Sequence, residues 1–176
     1  HLALNLADIQ GKEVLVPSFT FVTTIHAITY NGGIPIFVDI EPETLSIDLS
    51  DLEKKINKKT KAVVPVYFGG LPLKMENLKK IAREKSLSII EDAAHACGTK
   101  NKNNNVGSEN ELCCFSFHPI KNLSMPKGGA ITINANNSKN IKKKLNSLRW
   151  CGIDKRLGAL YDVTSLGYNY YMEEIS

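Results

Sequence analysis

Short apolar runs alternate along this chain with stretches whose apolar residues recur at helical spacing. The runs Glu13–Val16, Ile36–Asp39, Ala62–Tyr67, Ser88–Glu91, Leu112–Phe117 and Ala130–Asn134 predict strands. Between them, Thr23–Tyr30 predicts a helix that stops at Gly32-Gly33, since glycine tolerates the left-handed backbone of a helix end. Ser50-Asp51-Leu52-Glu53 fits a capping box and predicts the start of the next helix. Met75, Leu78, Ile81 and Ala82 form one apolar stripe, as do Ile141, Leu145 and Leu148, so Met75 reads as core. Strand–helix alternation of this kind predicts an α/β fold, a three-layer α/β/α arrangement with a mainly parallel sheet covered on both faces. The Asn-rich segment from Lys100 to Gly107 reads as a solvated connection or hairpin turn. With no internal repeat and no linker-like stretch, one domain is expected.

The ends carry a separate signal. His1–Ala7 reads as the middle of an apolar helix with no N-cap before it, and Tyr168–Ser176 stops without a terminating signal. The chain is therefore expected to be an internal piece of a larger protein. Its 176 residues, 43% apolar and 23% charged, suffice for one sizeable core. The net charge of +4 is mild, and the one dense run, Lys142-Lys143-Lys144, lies in a helical pattern. It reads as a solvated helix face, which argues against a nucleic-acid partner. Cys97, Cys113, Cys114 and Cys151 lack zinc-type spacing, and neighbours such as Cys113 and Cys114 face opposite sides of a strand. No metal site is expected. No signal peptide or membrane-spanning run is evident, so a cytoplasmic location is expected.

Candidate chemistry sits where two of the predicted strands run out. Ile90-Glu91-Asp92-Ala93-Ala94-His95 and Ser116-Phe117-His118-Pro119-Ile120-Lys121 each follow an apolar run. Strand ends are the usual place for a ligand crevice in an open α/β sheet. Lys121, held by a Pro-containing turn, could serve as a Schiff-base amine. Asp92, costly to bury without a partner, could hold a pyridine nitrogen protonated and make the ring an electron sink. Its plainer reading is an N-cap for a helix beginning at Ala93. His95 could stack on or hydrogen-bond a cofactor ring, or be a structural histidine. Ser116 could bind phosphate, or be a pleat-facing polar residue. Gly128-Gly129 suggests positive φ or close backbone approach. Gly-x-Gly-x-x-Gly after a strand, a P-loop and a Gly-x-Ser-x-Gly elbow are all absent, which weighs against nucleotide-cofactor and serine-hydrolase chemistry. The lysine–aspartate pair points instead to pyridoxal phosphate.

Several segments together resemble the DegT/DnrJ/EryC1/StrS family of pyridoxal-phosphate sugar aminotransferases, of the fold-type I architecture. They are Val16-Pro17-Ser18-Phe19-Thr20-Phe21, Phe37-Val38-Asp39-Ile40, Ile90–His95, Phe115–Asn122 and Gly167-Tyr168-Asn169-Tyr170, in the family's order and spacing. The resemblance implies that residues 1–176 are part of a cofactor-binding large domain, truncated at the N-terminus and lacking the C-terminal small domain. It also implies that Lys121 carries the cofactor and shuttles a proton, and that Asp92 pairs with the ring nitrogen. Phe21 would pack on the ring, His95 lie near it, and Ser116 hold the phosphate. Asn169 would reach the phosphate of a neighbouring subunit, which implies a homodimer with shared sites. The implied reaction is ping-pong transfer of an amino group from glutamate or glutamine to a nucleotide-linked keto sugar, for cell-surface polysaccharide or secondary-metabolite synthesis.

The chain departs from the family pattern in three places. The Ser-Gly-Thr segment that holds phosphate at a helix N-terminus would lie before His1. Pro126-Lys127 stands where a glycine-acid pair usually precedes Gly128-Gly129, and Tyr171 stands where an arginine often follows Gly-Tyr-Asn-Tyr. One alternative is an inactive fragment or degraded paralogue serving at most as an interaction module. A sugar dehydratase of the same family is disfavoured, because such enzymes replace the lysine with histidine and Lys121 is present.

Overall fold

A computed structural model describes residues 1–172, organised around one six-stranded sheet. In chain order the elements are α1 (Leu2–Leu6), β1 (Glu13–Pro17), α2 (Val22–Tyr30), β2 (Ile34–Val38), α3 (Leu49–Lys55) and β3 (Thr60–Val63). A 3-10 turn (Phe68–Gly70), α4 (Met75–Lys85), β4 (Ser88–Asp92), and the short hairpin β5 (Lys100–Asn101) and β6 (Asn104–Asn105) follow. Then come β7 (Leu112–Ser116), β8 (Gly129–Ile133), α5 (Ser138–Arg149), and a second hairpin, β9 (Ile153–Leu157) and β10 (Leu160–Val163).

The sheet order is β2-β1-β3-β4-β7-β8, with parallel pairing throughout except for the antiparallel β7–β8 edge. Alternation along each strand divides the core in two. Val14, Val16, Ala62, Ile90 and Leu112 face a layer containing α1, α2 and α5, where Ala3, Leu4, Ile28 and Leu145 are buried. Leu15, Val63 and Cys113 face the opposite layer, where Leu52 of α3 and Met75, Leu78 and Ile81 of α4 are buried. The three-layer α/β/α expectation holds, Met75 is core, and Cys113 and Cys114 pack into opposite layers. Lys142, Lys143 and Lys144 lie exposed on α5, as a solvated face should.

Three local expectations are corrected. The strand foreseen over Ala62–Tyr67 is regular only from Thr60 to Val63. Pro65 has no N–H to continue the ladder, so pairing resumes as a single bridge between Val66 and Asp92. The capping box read at Ser50 is displaced by two residues. Asp48 is the N-cap of α3, its Oδ1 accepting from the N–H groups of Ser50 (2.7 Å) and Asp51 (3.3 Å). A carboxylate reaches the second and third turn donors better than the serine hydroxyl, which itself donates to Asp48 at 2.8 Å. Finally, no helix begins at Ala93; residues 93–99 form turns. The stop at Gly32-Gly33 stands as foreseen: Gly32 has φ +69°, and Gly33 returns an N–H to the Ile28 carbonyl at 3.0 Å.

The topology sets where a site can form. From β1 the chain first moves outward to β2, then crosses back to β3 on the other side. Such a reversal opens a crevice at the carboxyl ends of the parallel strands. The loops after β1, β3, β4 and β7 all leave from that edge.

Candidate functional site

Asp92 closes β4 on the same face as Ile90, toward α2. Its backbone is pinned on both sides. The Asp92 N–H donates to the Pro65 carbonyl at 2.9 Å, and its own carbonyl accepts from the Tyr67 N–H at 3.0 Å. The next residue, Ala93, donates to Cys114 of β7 at 2.8 Å. The side chain is held as firmly: Thr24 Oγ1 donates to Oδ2 at 2.7 Å, and the Ala94 N–H donates to Oδ1 at 3.1 Å. A carboxylate oxygen has room for two donors, so each oxygen keeps one acceptor position free. The N-cap reading of Asp92 is thus replaced by a tight turn over Ala94 and a side-chain bond to α2.

An aromatic cluster forms on the loops that leave the same edge of the sheet after β1, β3 and β4. His95 Nδ1 accepts the Gly69 N–H at 3.2 Å, which leaves Nε2 as the ring's outward nitrogen. The His95 ring meets Phe68 edge-on at 5.7 Å, and Phe68 in turn meets Phe19 at 4.4 Å. Gly70, at φ +79°, lets the loop pass close to His95, whose carbonyl would lie 2.8 Å from any added Cβ. Phe21 is the N-cap of α2, three residues before Thr24, and is 69% exposed. A large ring left uncovered at the sheet edge that carries Asp92 is the kind of surface a planar heteroaromatic ligand would cover.

Ser116 ends β7, the strand next to β4, two residues beyond the Asp92–Cys114 pair. Its hydroxyl accepts from the His118 N–H at 3.3 Å. Gly129 lies opposite Ser116 on β8, and an added Cβ there would meet the Phe115 carbonyl at 2.7 Å. Close approach, rather than positive φ, is therefore what that glycine permits. The loop from 117 to 128 is closed by Phe117 N–H to Gly128 O (3.0 Å) and Met125 N–H to Phe117 O (2.9 Å). Lys121 sits in a turn within it, donating its N–H to the His118 carbonyl at 2.8 Å. Ile120 is 81% exposed, whereas Lys121 beside it is half-buried. Asn122 Nδ2 donates to the Cys97 carbonyl at 2.6 Å, tying this loop to the one carrying His95.

The structure thus brings Phe21, Asp92, His95, Ser116 and Lys121 to one edge of the sheet. Asn169 stands apart. It is exposed, bridged to Trp150, and among the described residues its side chain makes no hydrogen bond to the other five. A cleft of about 420 Å³ lies at the opposite edge, between Lys61, Ser88, Glu111 and Lys144. It touches none of the candidate residues.

Thr20, Thr24 and Phe68 join the site without having been foreseen. The i, i+4 spacing of Thr20 and Thr24 was visible, but threonines at a helix start usually cap it, and nothing in the sequence pairs them with a residue 68 positions away.

Behind Asp92, Glu91 faces the other layer and is 1% exposed. Tyr67 Oη donates to Glu91 Oε2. Burial pushes the Glu91 carboxyl above its ordinary range, with hydrogen bonds from Tyr67 and Asn110 pulling it back. Burial and the Glu91 charge push the Tyr67 hydroxyl up as well. Burial also raises the thiols of Cys113 and Cys114, the latter to about 11, so neither is a ready nucleophile. A raised carboxyl value means the unfolded chain releases this proton more readily than the folded one. Stability from Glu91 is then complete below about pH 4.5, the ordinary value, and is lost as pH rises through the folded value. Each unit of separation is worth about 1.4 kcal/mol. Glu91→Gln is expected to flatten this decline, so that its urea stability changes less between pH 5 and pH 8 than that of the wild type. Equal slopes for the two proteins would contradict the buried-carboxyl account.

The donor set fits pyridoxal phosphate. It offers a fixed carboxylate with spare acceptor positions, an uncovered aromatic ring, a strand-end hydroxyl beside close-packed glycine backbone, and a half-buried lysine in the loop after β7. Comparison with known proteins points the same way. GDP-perosamine synthase from Escherichia coli O157:H7 is 37% identical over 176 residues, which is 99% of this chain and 47% of that protein. The solved structure of PseC from Helicobacter pylori, an aminotransferase involved in the biosynthesis of pseudoaminic acid, superposes with a TM-score of 0.89 at 31% identity. That match covers 98% of this chain and 47% of the other. The putative sugar aminotransferase Spr1654 from Streptococcus pneumoniae, solved in PLP and PMP forms, also gives a TM-score of 0.89 at 29% identity. Here 95% of this chain and 47% of the other are covered. The chain spans about half the length of the curated relatives it matches. Residues 1–176 match the DegT/DnrJ/EryC1/StrS aminotransferase family from end to end, and the chain belongs to that family.

Proposed function

We propose that residues 1–176 form the cofactor-binding large domain of a pyridoxal-phosphate aminotransferase. Its substrates would be glutamate or glutamine as donor and a nucleotide-linked keto sugar as acceptor. The observation that carries this reading is Asp92, doubly hydrogen-bonded at the end of β4, one strand away from the Ser116–Lys121 loop. A carboxylate fixed in this way is suited to a protonated ring nitrogen, and an adjacent strand-end hydroxyl and amine suit the phosphate and aldehyde ends of the same ligand.

When bound, pyridoxal phosphate supplies an electron sink and stores the amino group between half-reactions. The chain's own residues do the rest. Lys121 Nζ would hold the cofactor covalently, and once released its amine would serve as the base that takes a proton from the donor Cα and later returns it. Asp92 would face the ring nitrogen. Phe21 would cover the ring and keep water from it, His95 would flank it, and Ser116 Oγ would donate to the phosphate. In the second half-reaction the same Lys121 proton movement runs backwards on the keto sugar.

A second copy of the chain belongs to this proposal. The hairpin β9–β10 carries Leu157, Leu160 and Val163 at 61–75% exposure, an apolar surface that a partner subunit would cover. Asn169, exposed beside that hairpin, would then act in the partner's site. Among the described residues no helix is long and apolar enough to cross a membrane.

Steady-state kinetics of a full-length protein containing these residues test the reaction. Varying donor and keto sugar together is expected to give parallel double-reciprocal lines and a nucleotide-linked amino sugar. Intersecting lines, or release of ammonia with no aminated product, would overturn it.

A further inference from the structure

Thr24 is 8% exposed and sits in the first turn of α2, with its hydroxyl between two oxygens. It lies 2.7 Å from Asp92 Oδ2 and 3.0 Å from Thr20 Oγ1. A hydroxyl has one proton to give, and an ionised carboxylate can only accept. The Thr24 proton therefore goes to Asp92, and Thr20 must be the donor in the other contact. The order of donation is fixed: Thr20 to Thr24 to Asp92. Hydrogen bonds in series polarise one another, and this one ends on a charge, where such bonds are strongest.

We propose that Thr24, backed by Thr20, is a positioning residue that holds the Asp92 carboxylate oriented for a protonated heteroaromatic nitrogen. This rests on the reading of Asp92 given above. The relay occupies one acceptor position on Oδ2, and the Ala94 N–H occupies one on Oδ1, which fixes the plane of the carboxylate. It also ties α2, whose N-cap is Phe21, to the end of β4. Valine in place of Thr24 would fill the same space, but it would leave Oδ2 without this donor and Thr20 without its acceptor.

The test uses the full chain with pyridoxal phosphate as the probe, comparing wild type, Thr24→Val, Thr24→Ser and Asp92→Asn. Three readouts are needed: the cofactor dissociation constant, the visible absorbance of the bound cofactor, and the thermal midpoint of the cofactor-free protein. A hydrogen bond to a charged acceptor corresponds to roughly 10- to 100-fold in an equilibrium constant. Because Oδ1 keeps its donor, Thr24→Val is expected near the lower end, about tenfold weaker, with absorbance shifted toward the unprotonated ring. Thr24→Ser should restore both, with a thermal midpoint matching the wild type. Wild-type affinity and absorbance in Thr24→Val, with Asp92→Asn impaired, would overturn the relay and leave the site reading intact. Wild-type behaviour in Asp92→Asn as well would overturn both. Equal weakening in Thr24→Val and Thr24→Ser, or a lowered midpoint with unchanged affinity, would assign Thr24 to packing alone and overturn the proposal.

Discussion

Lys121→Ala is expected to lower amino transfer by about 10⁴-fold or more while leaving the fold intact. On the proposed reading two roles would vanish together: covalent attachment of the cofactor, and the amine that would move the donor Cα proton. General acid–base catalysis alone accounts for about 10²–10⁴-fold, and loss of the covalent route adds to it. The fold should be indifferent, because the lysine lies in a half-buried turn whose geometry is set by backbone bonds. Those are His118 O to the residue 121 N–H, and Phe117 to Gly128 and Met125. Urea unfolding should therefore give a midpoint close to that of the wild type. An added primary amine should return part of the proton-transfer rate, since it supplies the missing base without the tether. A variant retaining a tenth or more of wild-type turnover would refute the assignment.

Asp92→Asn is expected to cost about 10²–10³-fold in the half-reaction with the amino donor, the usual effect of losing one preorganised electrostatic partner. The amide keeps the size of the carboxylate and one accepting oxygen, so either Thr24 or the Ala94 N–H retains its acceptor, while the other faces an NH₂ group. What disappears is the negative charge that favours a protonated ring nitrogen. Binding should weaken less than the rate, because phosphate and ring contacts survive. Rapid mixing of loaded protein with glutamate separates the two effects. A near-wild-type rate of the first half-reaction would remove Asp92 from its role.

The sequence made the sheet legible because its strands are read from alternation, and each apolar face has a layer waiting for it. Val14, Leu15 and Val16 illustrate this, since burial on alternating faces needs a covered sheet. Features set by single polar contacts were less visible. Pro65 cut β3 short although the apolar run continues through Tyr67, because ladder bonds require an N–H. Asp48 captured the cap that Ser50 seemed to own, because its carboxylate reaches two backbone donors at once. Hairpin β9–β10 escaped notice because Asp154, Lys155 and Arg156 break the apolar pattern, and its turn rests on Gly158 at φ +61°. At the site, Asp92 and Lys121 could be named from strand ends and chemistry. The Thr24 contact could not, since it depends on how α2 packs across β4. Asn169 was matched by resemblance only, and its exposed position in this chain is consistent with a role realised in a second subunit.

The most direct test of the whole account is to trap the covalent link. Pyridoxal phosphate is added to a full-length protein containing these residues, the mixture is reduced with borohydride, and the digest is mapped by mass spectrometry. The account predicts one stoichiometric phosphopyridoxyl adduct on Lys121, lost in Lys121→Ala. Absence of an adduct, or stoichiometric modification of another lysine with Lys121 left free, would contradict it.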